Sequence, residues 1–260
     1  FYGCEKLENL GSYETTVENG VTIKTLKLSK LSQFYISSSS TKGQAFECTG
    51  LTDYVFEMPL VTEIPTKTFR KSGVRSVKFD KAKLKTIDTY AFELCEKLET
   101  LTGIEGVTKL GGSAFKNSTL KGEYNFSKVT TVGDNVFVNS KVTKVDLSGA
   151  TNLKSCYNLF LDCAELTEVV LSNNATTISH SMFENCVKLD KVNIPTKLTY
   201  LNTDLFMNSG ITSIEIPANI KKIGATSATG KIWATTKGNV FSGCKNLTTV
   251  TVKGTDVELA

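Results

Sequence analysis

The chain has 260 residues and a formal charge of +4, with lysines and glutamates interleaved along it; it lacks the clustered basic stripe of a nucleic-acid footprint. No apolar run approaches the ~18 residues of a membrane span, so any membrane attachment is expected only through a segment outside this chain. One histidine, seven cysteines and no Cys-x-x-Cys leave no zinc site of the usual spacing.

Residues 1–45 read as an irregular start. Phe1, Cys4, Leu7 and Leu10 begin a pattern that then loses register. The chain opens already inside that pattern, so it reads as a fragment, with any leader or anchor lying beyond it. Glu18-Asn19-Gly20-Val21, between apolar-alternating runs at 13–17 and 22–28, predicts a hairpin, because Asn-Gly supplies the positive φ of a tight turn. Ile23, Leu26 and Leu28 have strand spacing, and Leu31 and Phe34 follow. Residues 37–41 form a polar insertion that reads as a loop.

From Phe46 the chain repeats. Phenylalanines stand at 46, 69, 92, 115, 137, 160, 183 and 206, spaced by 23 residues, with one interval of 22; Phe1 and Phe241 head the same pattern at the ends. A period of this kind predicts a stacked solenoid, in which each unit buries its apolar edge against its neighbours. After each phenylalanine comes an alternating run, as in Val74-x-x-Val77-x-Phe79, Val142-x-x-Val145-x-Leu147 and Ile211-x-x-Ile214-x-Ile216. Its period of two and β-branched content predict a strand, and stacking places these strands in one parallel sheet roughly 4.8 Å apart. A second apolar pair precedes the next phenylalanine, as in Val61/Ile64 and Leu84/Ile87, and suits a short strand or a helical turn on the opposite wall. The turn between them carries Cys three residues after the phenylalanine at Cys95, Cys163, Cys186 and Cys244, or Ser in a shorter variant at Ser72, Ser118, Ser140 and Ser209. Cysteines at fixed repeat positions read as buried free thiols rather than bridges. Cys156 is read as filling the apolar slot that Ile64, Ile87 and Ile178 occupy elsewhere, one residue closer to its phenylalanine. Residues 46–260 are thus one continuous domain, interrupted by an insertion at 225–239 that holds Trp233. That tryptophan reads either as an exposed anchor or as a plug folded over the last coil. No polar cap follows the last strand, Leu247-x-x-Val250-x-Val252, so its edge is covered by something else or left open.

Catalysis has little to work with. His180 is the sole imidazole and reads as a polar turn residue, and Gly111-Gly112 also reads as a turn. There is no nucleophile elbow or phosphate loop, and no cofactor or metal is expected. The residues between the apolar strand positions face outward and form the candidate ligand-binding set: Lys24, Lys27, Arg75, Lys78, Lys144, Asp146, Glu168, Lys191, Glu215 and, from the insertion, Trp233. The face starts basic, becomes mixed and ends rich in threonine, a polar and aromatic-poor surface that suits protein contact better than sugar stacking.

The unit Ile-x-x-x-Ala-Phe-x-x-Cys-x-x-Leu-x-x-Val-x-Ile-Pro, met most closely over residues 178–195 and 87–101, resembles the BspA-like leucine-rich repeat; Ile194-Pro195 and Ile216-Pro217 supply its strand ending. The resemblance implies a leucine-rich-repeat solenoid of α/β class, rich in β, with about ten coils of ~23 residues. It also implies an extracellular or cell-surface protein without catalysis that adheres to a protein or glycoprotein ligand on host or neighbouring cells. A structural stalk, or a carbohydrate-binding or carbohydrate-degrading surface protein, is the alternative.

Overall fold

The computed structural model describes residues 13–32, 34, 44–151, 153, 156–224 and 239–259. Phe1, Cys4, the 37–41 insertion and Trp233 lie outside the described residues. In chain order the strands are β1 (Glu14–Glu18), β2 (Val21–Lys27), β3 (Thr52–Met58), β4 (Glu63–Ile64), β5 (Gly73–Phe79) and β6 (Thr86–Ile87). Then come β7 (Thr100–Thr102), β8 (Lys109–Leu110), β9 (Lys121–Asn125), β10 (Thr131–Val132), β11 (Lys141–Leu147) and β12 (Glu168–Leu171). The last are β13 (Lys191–Val192), β14 (Tyr200–Leu201), β15 (Ser213–Ile216), β16 (Lys222–Ile223), β17 (Thr249–Val252) and β18 (Glu258–Leu259). No helix occurs among the described residues, so the opposite wall is made of two-residue strands and turns, not helical turns.

The phenylalanines form one column. From Phe46 to Phe241 nine rings stack face to face, with centroids 5.1 to 5.8 Å apart and planes within 19° of parallel. Nine rungs stand against about ten expected, since Phe1 is outside the described residues. The rungs from Phe69 to Phe206 have no exposed surface. The longer interval after Phe206 leaves the column unbroken: Phe241 lies 5.8 Å from Phe206 at 3°. The described coils on either side of the longer interval thus keep one register.

The turn around each phenylalanine satisfies its backbone by alternation. At Phe69, the N–H groups of Lys67, Phe69 and Lys71 donate to the carbonyls of Thr89, Ala91 and Glu93 in the next coil, at 3.0, 2.8 and 2.8 Å. The intervening N–H groups of Thr68, Arg70 and Ser72 donate within the coil to Pro65, Lys67 and Phe69, at 3.3, 3.2 and 2.9 Å. This arrangement needs left-handed backbone two residues before and two after the ring. Pairs with positive φ recur there at Lys67/Lys71, Tyr90/Leu94, Ser113/Asn117, Asn135/Asn139, Asn158/Asp162, Ser181/Asn185 and Asp204/Asn208. Such conformations cost an L-residue about 1–2 kcal/mol; a full set of buried hydrogen bonds offsets that cost.

The front wall is a parallel sheet in three sections, β2-β3-β5-β7, β9-β11-β12-β13 and β15-β17, and the short strands of the back wall run β4-β6-β8-β10 and β14-β16-β18. Hairpin β1–β2 is antiparallel, with Asn19 at φ 51° and Gly20 at φ 80°, as the Asn-Gly pair predicts. Cys156 does not fill the apolar slot. Leu153 does, bridging to Ile178, and the Cys156 thiol instead donates to the Val132 carbonyl at 3.2 Å. Leu153 precedes its phenylalanine by seven residues where Ile178 precedes Phe183 by five, so counting back from Phe160 misplaces the slot.

Candidate interaction face

The outward strand positions lie on the front wall, and the structure divides the expected residues into two groups. Lys24, Lys27, Arg75 and Lys78 sit at the N-terminal end on β2 and β5, and all four are engaged. The Lys24 ammonium lies over the rings of Tyr13 and Tyr54, at 5.6 and 5.2 Å from their centroids. Lys27 donates to Glu14 at 2.6 Å, which raises its pKa. Arg75 faces Glu99 at 3.2 Å, Asp53 at 3.9 Å and Glu18 at 4.0 Å. Lys78 reaches Glu57 at 3.1 Å. The start of the face is therefore a lattice of cross-coil ion pairs rather than a basic patch. The opposing carboxylates on β3 and the turn before β7 were legible only by reading opposite charges about one period apart, and those on β1 not even so, since Glu14 meets Lys27 across the hairpin and Glu18 meets Arg75 from two coils away.

The second group converges. Lys144, Asp146, Glu168, Lys191 and Glu215 stand on β11, β12, β13 and β15. Lys144 pairs in register with Glu168, which pairs in register with Lys191. Lys144 also binds Glu123 at 3.0 Å, Glu215 binds Lys253 at 3.3 Å, and Asp146 accepts from the Ser148 N–H at 2.8 Å. The Glu123 hydrogen bond is the main cause that raises the Lys144 pKa.

These residues surround two adjoining clefts. The smaller, about 260 Å³, is lined by Lys144, Asp146, Glu168 and Val170 among others. The larger, about 680 Å³, takes in Glu168, Val170, Asp190, Lys191, Asn193 and Glu215. It forms because the sheet opens between β13 and β15, which share no ladder. Asn193 contributes: its side chain turns back to the Leu171 backbone, accepting from its N–H at 2.7 Å and donating to its carbonyl at 2.9 Å. Across the opening, the Thr212 hydroxyl donates to the Asp190 carboxylate at 2.9 Å. Val170, 38 % exposed, gives the cleft an apolar patch.

A second seam separates β7 from β9. The Tyr124 ring is drawn into the core there, and its hydroxyl accepts from the Leu101 N–H at 3.4 Å and donates to the Lys121 carbonyl at 3.0 Å. Gly122, at φ 100°, allows the kink. Burial pushes the Tyr124 phenol up to about 12.

A third charged cluster escaped sequence reading. Arg70 donates from Nε to Glu93 at 2.6 Å and from a terminal nitrogen to Glu47 at 2.9 Å. All three follow their phenylalanine by one residue, so the period stacks them. The two carboxylates raise the Arg70 pKa.

Cys95 and Cys163 are buried free thiols, and burial pushes them and Cys156 up to about 12. His180 is exposed, with Ser181 Oγ at 3.4 Å from Nδ1 and the Tyr157 ring at 5.6 Å. No group of three or more His, Cys, Asp or Glu among the described residues is placed to hold a metal ion.

The family described as BspA type leucine rich repeat region matches this chain in six copies, over residues 1–81, 39–157, 125–228 and 155–258. Among solved structures, a leucine-rich repeat protein from Bacteroides ovatus is similar at 19 % identity with a TM-score of 0.62, over 93 % of this chain and 74 % of that one. A leucine-rich repeat protein from Eubacterium ventriosum is similar at 14 % identity and a TM-score of 0.46, over 74 % and 66 % of the two chains. A leucine rich cell surface protein from Faecalibacterium prausnitzii aligns over 95 % of this chain and 94 % of its own, at 16 % identity and a TM-score of 0.32. No curated protein matches.

Proposed function

The chain belongs to the BspA-type leucine-rich-repeat family, and from that premise we propose that it is a non-enzymatic adhesion module displayed outside the cell. It binds a protein or glycoprotein on a host or neighbouring cell through the outward face of its front sheet. The observation that carries this reading is the pair of adjoining clefts at β9–β15, where acidic, basic and amide side chains converge around the exposed Val170. A polar surface with an apolar patch suits a protein contact, in which a few central residues carry most of the energy. The N-terminal lysines and Arg75 already face carboxylates or rings, so recruiting them would first break those contacts.

Capture from extracellular-matrix and mucin preparations tests the proposal. The expected result is specific capture by the wild-type chain, reduced about tenfold or more by the triple reversal Glu168→Lys, Asp190→Lys, Glu215→Lys. Reversal of Lys24, Lys27 and Lys78 is expected to change it little. The opposite ranking would move the contact to the N-terminal strands. No capture at all would leave the chain as a spacer in a larger surface protein.

A further inference from the structure

The charges of the front face are matched at its N-terminal end, where Lys27, Arg75 and Lys78 each meet a carboxylate. Around the clefts at β9–β15 they are not. Five carboxylates and two ammonium groups line the two clefts, a balance of −3 on a chain whose total is +4. The cleft of about 520 Å³ beside Thr119 and Thr143 instead sets three carboxylates against three lysines. Some of the excess is compensated: Lys144 is held by Glu123 at 3.0 Å, and Lys253, from just past β17, reaches Glu215 at 3.3 Å. Asp146, Glu168 and Asp190 lie in no ion pair among the described residues, although Glu168 stands in register between Lys144 and Lys191.

These carboxylates are spread across the sheet, and no group among the described residues is placed to share one metal ion. Their spacing follows from the ladder. Asp146 is in register with Val170, and Glu168 with Lys191, so Asp190 stands two strands across and three residues back from Asp146. At about 4.8 Å per strand and 3.3 Å per residue, that diagonal is about 14 Å. It passes between Glu168 and the exposed Val170. An extended chain presents same-side residues about 7 Å apart, so three of them span the diagonal.

We propose that this face takes an extended protein segment with cationic side chains four residues apart and an aliphatic one midway. The cations meet Asp146 and Asp190, and the middle residue packs on Val170. Each aspartate has acceptor capacity left for the purpose, since one oxygen of Asp146 takes the Ser148 N–H and one of Asp190 takes the Thr212 hydroxyl. Arginine suits both ends, because its planar fork can take up the remaining oxygens. The inference rests on the front face being a contact surface, as proposed above, and adds the chemistry of what it contacts.

Fluorescence polarisation tests it with a short labelled peptide of threonines carrying arginine, valine and arginine at alternate positions. Two analogues serve as references: one with glutamate for both arginines, and one of the same composition with the arginines adjacent. The expected result is binding of the first peptide that weakens with added salt, and weaker binding of both analogues. The triple variant Asp146→Asn, Glu168→Gln, Asp190→Asn keeps an acceptor for Ser148 and Thr212, so its coils should stay folded, as circular dichroism would check. It is expected to lose about tenfold or more in affinity. Glu14→Gln, Glu57→Gln, Glu99→Gln removes the same charge from the N-terminal end and is expected to change affinity little. No binding of the first peptide, equal binding of the adjacent-arginine isomer, or equal weakening by both triple variants would each overturn the proposal. If capture from matrix preparations still depended on the clefts in that case, the face would stand and only the partner's chemistry would be wrong. Peptide binding as expected with no capture at all would overturn the adhesion reading alone.

Discussion

The residue three places after each phenylalanine solves one problem with different atoms. Thr49 and Ser118 donate their hydroxyls to the phenylalanine carbonyl of their own coil, at 3.0 and 2.8 Å. Cys95, Cys163 and Cys186 donate their thiols to the phenylalanine carbonyl of the preceding coil, at 2.8, 2.9 and 3.1 Å. Cys163→Ser keeps a donor of similar size and is expected to cost under about 1.5 kcal/mol. Phe160→Ala, which empties a slot between two stacked rings, is expected to cost about 3–5 kcal/mol, and chemical denaturation would separate the two. The raised thiol pKa values also set a pH dependence. Below about pH 9 both folded and unfolded chains keep the thiol protons, and this contribution is flat. Between pH 9 and about 12 the unfolded chain loses them first, so it binds fewer protons and stability falls as pH rises. Thermal melting across that window should show the decline, and an unchanged melting temperature up to pH 11 would contradict the burial of these thiols. The slot itself was readable, because Cys and Ser alternate at one spacing. The left-handed backbone beside it was readable at Asn117, Asn139 and Asn208, but not at Lys67, Tyr90 or Leu94, where a repeated ladder imposes a conformation the residue does not favour.

At the scale of elements, what was legible is what local chemistry decides. Hairpin β1–β2 follows from Asn19-Gly20, and the front-wall strands β5, β11 and β15 follow from alternation. The seams were not legible, because each arises where one coil departs from its neighbours by a residue or two. Tyr124 reads as one more apolar residue in the coil after Phe115; only the stacked coils show that its hydroxyl stands in for a ladder partner of Leu101. Tyr124→Phe keeps the ring and removes that partner, leaving a buried N–H unsatisfied at an expected cost of about 1–3 kcal/mol. Hydrogen exchange should register it as faster exchange at Leu101, with little change at Val145 on the far side of the seam. Equal exchange at Leu101 in both proteins would mean that the ladder closes without the phenol. Asn193 works alike beside the opening between β13 and β15, its amide taking both backbone groups of Leu171, and this side-chain substitution leaves the cleft beside β15 open. Thus alternation marks the outward strand positions, while the cleft depends on a contact between residues 22 apart.

Taken whole, the molecule is a one-dimensional stack, and its stability is a sum of coil energies and of interfaces between adjacent coils. The closest of those interfaces lie where glycine permits them. A Cβ on Gly133 would come within 2.4 Å of the Gly112 nitrogen and 2.7 Å of its Cα, and one on Gly111 within 2.2 Å of the Thr89 nitrogen. These are backbone atoms with no rotamer by which to escape. Gly133→Val should therefore push apart the coils headed by Phe115 and Phe137, breaking the bond from the Gly133 N–H to the Leu110 carbonyl (2.9 Å) and loosening the ring contact at 5.5 Å. Each half keeps its own stacked rings, so neither needs the other to remain folded. The expected outcome is that one cooperative denaturant transition becomes two, with the midpoint of one half lowered more than that of the other. Hydrogen exchange would locate the break by accelerating Phe115 and Asn117, whose amides donate across that interface to Val136 and Val138 at 2.9 and 2.8 Å. A single transition shifted as a unit would mean that coupling runs through more than adjacent coils, and would count against a purely nearest-neighbour stack.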